Sequence, residues 1–182
     1  MLLALAAPAR GATFEERTAA CLACHGANGQ SMIPETPSIG GQPSFFVVAQ
    51  LFLFRRGARG SSAMAEIARP MTDDDLRAFA EWTSKLPPPA PPAEPPAAER
   101  LARGRALAQQ RPCATCHNPD FSGREQMPRL AHQREDYLLK AMREYQRGTR
   151  VGYGAAMTEE LHGLSDADLQ SLAHVLAHWG RP

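Results

Sequence analysis

Cysteine and lysine are both scarce in this chain. Of 182 residues only four are cysteine, and 18 of the 20 basic residues are arginine. The formal net charge is +1, and no run of like charge offers the electrostatic footprint of a nucleic-acid binder. Long apolar runs are missing: past the N-terminus nothing reaches the ~18 residues that would span a bilayer. No alternating strand pattern flanks any cysteine. There is no serine–histidine–acid set, phosphate-binding loop or paired-carboxylate arrangement with persuasive spacing. These absences remove the commonest grounds for reading a hydrolase or a phosphoryl-transfer enzyme.

What is present is concentrated. All four cysteines fall in two copies of one motif, Cys21-Leu22-Ala23-Cys24-His25 and Cys113-Ala114-Thr115-Cys116-His117. C-x-x-C-H is the attachment signature of a c-type haem. Two thiols three positions apart take the two vinyl groups, and the adjacent histidine faces the iron as proximal ligand. Three plainer readings compete. A redox disulfide wants a βαβ context that is absent here. A zinc ribbon separates its cysteine pairs by roughly 15–20 residues, whereas 88 lie between Cys24 and Cys113. Two structural disulfides would leave the histidine at the same offset in both copies unexplained. The motif therefore predicts two covalently bound haem c groups, on Cys21 and Cys24 and on Cys113 and Cys116, with His25 and His117 as proximal ligands.

Residues 1–12 are apolar and rich in small side chains, with Ala7, Ala9 and Gly11–Ala12 as plausible cleavage points. They lack a basic n-region and read as the remnant of an export signal. Export and covalent haem together predict a periplasmic protein, soluble or peripherally membrane-associated.

The remainder is a repeat. Helices are expected over about 14–23, 44–56 and from 72 onward, then over about 97–110 and from 165 onward, with 137–150 answering 46–59. Residues 87–96 carry seven prolines and cannot be helix or central strand. They divide the chain into a domain at 13–86 and a domain at 97–182. Pro37-Ser-Ile-Gly-Gly-Gln42 is answered by Pro128-Arg-Leu-Ala-His-Gln133, Arg56-Gly57 by Arg147-Gly148, and Thr72-Asp-Asp-Asp75 by Ser165-Asp-Ala-Asp168. The offset drifts only between 91 and 93 residues, so one supersecondary unit occurs twice.

The repeat also selects distal iron ligands. Met64 and Met157 each lie eight residues before the last helix's Thr72 or Ser165, in what reads as a loop. Met71 is the rival to Met64, but its repeat partner is Leu164; Met142 reads as core filler. Among the histidines His162 is nearest the ligand loop, and His132, His174 and His178 read as solvent-facing or satisfied core residues. The carbonyls of Pro37 and Pro128 are candidates to receive the proximal histidines' second N–H, with plain turn prolines as the alternative.

The paired C-x-x-C-H motifs, each followed by Pro-x-[Ile/Leu]-x-x-Gln, an Arg-Gly helix end, a methionine and [Thr/Ser]-Asp-x-Asp, resemble the cytochrome c4 family over about residues 14–86 and 97–180. The resemblance implies an all-α protein of two tandem class I cytochrome c domains with haems close together at their interface. It implies a periplasmic electron shuttle, often delivering to a haem–copper terminal oxidase. It carries over His25, Met64, His117 and Met157 as axial ligands, and Pro37 and Pro128 as the prolines whose carbonyls accept from the histidines. His132 stands where the first half has Gly41, and Asn118-Pro119 follows the second motif. Two other functions remain open at this point: a dedicated cytochrome subunit of a flavin- or quinone-dependent dehydrogenase, and a peroxidase-like protein with one open iron.

Overall fold

The computed structural model describes residues 12–150 and 154–181. The expected export segment lies outside them except for Ala12. The described residues hold no β-strand, only an isolated bridge between Arg124 and Met127. In chain order the helices are α1 (Phe14–His25), α2 (Ser44–Arg55), α3 (Ser62–Ala68), α4 (Asp73–Lys85), α5 (Ala98–Gln110), α6 (Cys113–His117), α7 (Glu135–Gln146), α8 (Gly154–Leu161) and α9 (Asp166–Ala177). None is long and apolar enough to cross a membrane.

Two separate cores form. In the first half α2 packs on α3 and α4 around Leu51, Phe54, Leu76 and Phe79. In the second α9 packs on α5 and α7 around Leu101, Leu138, Leu169, Leu172 and Val175. Helices α5 and α9 cross closely, where a Cβ on Gly104 would stand 2.2 Å from the Ser171 carbonyl oxygen. Only glycine lets the two backbones meet there.

The last helix of each half starts the same way. Thr72 accepts from the Asp75 amide at 3.1 Å, and Asp75 accepts from the Thr72 amide at 2.8 Å. Ser165 and Asp168 repeat this capping box at 3.2 and 3.0 Å. Each capping aspartate also holds an arginine from the half's first helix, Arg17 for Asp75 and Arg103 for Asp168. Its hydrogen bond to Arg17 holds the Asp75 carboxyl well below the usual range, and bonds to Ser165 and Arg103 bring Asp168 down to about 2.

One local expectation needs correction. Met64 and Met157 are not in loops but on α3 and α8. Ser61 caps α3 by accepting from the Met64 amide at 3.3 Å, and Ala63, Ala65 and Ala68 are strong helix formers. The second motif also sits on a helix of its own. Arg111 precedes Pro112 and is extended at φ −116°, ψ 150°, so α5 stops and α6 starts afresh. Ala20 stands at the matching place in the first half, and α1 runs unbroken into the motif.

The proline-rich stretch is tied down rather than free. The Pro87 carbonyl oxygen lies where a Cβ on Gly40 would be, at 2.2 Å. The Ala90 amide donates to Gln30 Oε1 at 3.2 Å. His132 answers Gly41 in backbone as well as in sequence, with φ +62° against +63°. Its ring lies between the carbonyl oxygens of Pro89, 3.1 Å from Nδ1, and Trp179, 2.9 Å from Nε2. Those contacts offset the cost of a left-handed conformation in a residue other than glycine.

The halves touch through charged and polar groups. Lys140 pairs with Glu35 at 2.8 Å, and Arg59 donates to the Tyr137 hydroxyl at 2.8 Å. Arg150 donates to the same hydroxyl at 3.1 Å. Burial alone would raise the Tyr137 phenol, but the guanidinium groups of Arg59 and Arg150 outweigh it and bring it to about 8.

Candidate functional site

The helical spacing of C-x-x-C-H decides the site's shape. Positions i, i+3 and i+4 share one helix face, so Cys21, Cys24 and His25 project together from the end of α1. Cys113, Cys116 and His117 do the same from α6. In each motif the first cysteine is half-buried, the second exposed and the histidine buried. The four sulfurs form no disulfide. Burial pushes the Cys21 and Cys113 thiols up, the opposite of an activated redox cysteine.

Each histidine is oriented by a carbonyl. His25 Nδ1 lies 2.8 Å from the Pro37 oxygen, and His117 Nδ1 lies 2.9 Å from the Pro128 oxygen. A carbonyl only accepts, so each Nδ1 carries the hydrogen and each Nε2 keeps its lone pair. Burial pushes both imidazoles down, towards the neutral form that binds metal, against a smaller opposing effect of the carbonyl bonds. A fixed tautomer with a free Nε2 beside two unpaired thiols is the donor set that a covalent haem requires.

Met64 is half-buried and packs, as Cys21 does, against the first core. Met157 packs, with Cys113, against the second. Met71 is itself part of the first core at 8 % exposure, and Met142 part of the second at 7 %. His162 is exposed. His174 is buried with both nitrogens engaged: Nδ1 donates to Glu135 at 2.7 Å and Nε2 accepts from the Ala97 amide at 2.9 Å. It is a satisfied core histidine. His178 is buried beside it, with no partner for Nδ1.

The Cytochrome c family profile matches residues 101–178. The thiosulfate dehydrogenase electron acceptor of Thiomonas intermedia is 33 % identical over 183 residues, which cover 94 % of this chain and 84 % of that protein. Cytochrome c4 of Thiocapsa roseopersicina is 30 % identical over 164 residues, 86 % of this chain and 85 % of that one. The chain belongs to the cytochrome c4 family. The cytochrome c4 structure from Acidithiobacillus ferrooxidans matches it with a TM-score of 0.79 at 25 % identity, over 88 % of this chain and 99 % of that one. The all-α chain is therefore a di-haem electron-transfer cytochrome with the class I cytochrome c fold in both halves. It carries two covalently bound haem c groups, one for each C-x-x-C-H motif.

Two glutamines escaped the reading of the sequence as site residues. Gln42 and Gln133 end the matched proline motifs, yet each side chain is buried against the other half. The available signal was an amide ending both copies of the proline motif, since a buried amide needs partners.

Proposed function

We propose that residues 13–86 and 97–182 are two cytochrome domains joined by the 87–96 strap, passing single electrons between periplasmic redox proteins. His25 and Met64 are the axial ligands in the first domain, His117 and Met157 those in the second. The single observation that carries this is the duplicated histidine geometry. In both halves a buried imidazole is held through Nδ1 by a proline carbonyl, with Nε2 left to bind. When bound, each haem supplies one ferrous–ferric couple. The protein's own part is to hold each imidazole in one tautomer, to exclude water around it, and to supply a soft thioether that favours the ferrous state.

The donor we assign is a periplasmic dehydrogenase acting on thiosulfate, and the acceptor a terminal oxidase. Support for the donor is the likeness to a thiosulfate dehydrogenase electron acceptor over 94 % of this chain. Neither role calls for a substrate pocket, and we read the protein as a carrier rather than an enzyme.

Optical redox titration of the holoprotein tests the ligand set. Two one-electron steps and the far-red methionine–iron band of the ferric form are expected. Met64→Leu should remove one haem's share of that band and lower one potential, and Met157→Leu the other. A band that survives both replacements together sinks the methionine assignment. Stopped-flow reduction by a thiosulfate-oxidising dehydrogenase, at a rate that falls with ionic strength, tests the donor; no reduction on mixing removes it.

A further inference from the structure

The peptide unit that orients each histidine is bonded on its other side by the opposite half. The Pro37 carbonyl accepts from His25 Nδ1 at 2.8 Å, and the Ser38 N–H of that same peptide donates to Gln133 Oε1 at 2.8 Å. Gln133 Nε2 then donates to the Ser38 carbonyl at 2.7 Å. The second half mirrors this. The Pro128 carbonyl accepts from His117 Nδ1 at 2.9 Å, and the Arg129 N–H donates to Gln42 Oε1 at 3.0 Å. Gln42 Nε2 donates to the Arg129 carbonyl at 3.1 Å. Gln42 and Gln133 are both 4 % exposed, and Ser38 is 3 % exposed.

The peptide is planar and trans, so its C=O and N–H point in opposite directions along one dipole. An acceptor on the N–H polarises the C=O and strengthens the bond that the carbonyl accepts. A stronger bond from Nδ1–H makes the imidazole a more electron-rich ligand, which favours ferric iron. We infer that Gln133 is a positioning residue for His25 and Gln42 a positioning residue for His117. Each domain's proximal histidine is thus set by the other domain's glutamine. This rests on the assignment of His25 and His117 as iron ligands.

The crossing makes the idea testable. In the holoprotein, Gln133→Ala should raise the potential of the haem attached at Cys21 and Cys24 and leave that at Cys113 and Cys116 unchanged. Gln42→Ala should do the reverse. Potentials come from optical titration, with each haem assigned to its domain by paramagnetic NMR of the haem methyl groups. Gln133→Glu, titrated at a pH where its carboxyl is protonated, keeps an acceptor for the Ser38 amide and an O–H donor for the Ser38 carbonyl. It should recover most of the wild-type value, and it stands in should the alanine variant fail to fold. Lys140→Ala removes the Glu35 pair, which touches neither peptide, and should move neither potential.

A shift confined to the mutated domain, an equal shift in both, or no shift overturns the inference. Equal shifts in the Lys140→Ala control would mark simple loosening of the halves and overturn it too. The ligand reading is checked separately by the proximal-histidine ring signals of the reduced wild-type protein. If those are missing, the ligand assignment itself fails; if they are present without a crossed shift, only the glutamine role fails.

Discussion

Helices α2 and α7 occupy the same place in the two halves, and their outer faces could hardly differ more. The inner faces agree: Leu51 and Phe54 on α2 answer Met142 and Tyr145 on α7, all packed against a core. Facing outward, Phe45, Ala49 and Phe52 on α2 stand where α7 has Asp136, Lys140 and Arg143. Phe45 is 60 % and Phe52 45 % exposed. The charges on α7 are engaged. Asp136 accepts from the Glu35 amide at 3.1 Å, Lys140 pairs with Glu35, and Arg143 bonds Asp166 at 2.7 Å. The comparison separates two demands on one helix. The fold dictates only the inner stripe, because burial there drives packing; the outer stripe is free to vary, and the two halves have varied it.

The largest effect should come from the shared inner side. Leu169 is fully buried on α9, and Leu76 is its partner on α4. Leu169→Ala should cost about 2–5 kcal/mol, confined to the second half. Calorimetry should then show an early transition for that half and an unchanged one for the first. A single joint transition shifted as a whole would mean that the halves melt as one unit.

The interface comes next. Tyr137 has a folded value of about 8 against 10 unfolded. A depressed acid contributes nothing extra below pH 8, gains stability from 8 to 10, and holds the full gain above that. The difference should reach roughly 2–3 kcal/mol. It is read as the gap in denaturant stability between the wild type and Tyr137→Phe across that window. A gap independent of pH would show that the phenol does not ionise between Arg59 and Arg150.

The smallest effect should come from the outer stripe. Phe45→Asp with Phe52→Arg transplants the α7 residues onto α2, and the melting free energy should change by no more than about 0.5 kcal/mol. A loss of several times that would show the outer phenylalanines to be part of the fold after all.

Much of this was legible before any coordinates. The C-x-x-C-H spacing needs only a helix to bring two thiols and an imidazole onto one face. The capping boxes at Thr72 and Ser165 are local, because donor and acceptor lie three residues apart. The Pro37 and Pro128 carbonyls were legible only as candidates, since a contact across 12 or 11 residues depends on how the intervening loop closes. The helices carrying Met64 and Met157 were missed because glycines nearby read as loop, while Ser61 and the alanines decide the matter.

By itself the sequence determined the number of haems, their attachment points and the duplication, because each depends on residue type at short separation. It could not place Gln133 beside Ser38 or Gln42 beside Arg129, 95 and 87 residues apart. Nor could it seat the proline stretch on Gly40 or show Tyr137 between two arginines. Those follow from which faces of the two halves meet. Only the assembled fold decides that, because the deciding contacts are hydrogen bonds between groups that no local pattern brings together.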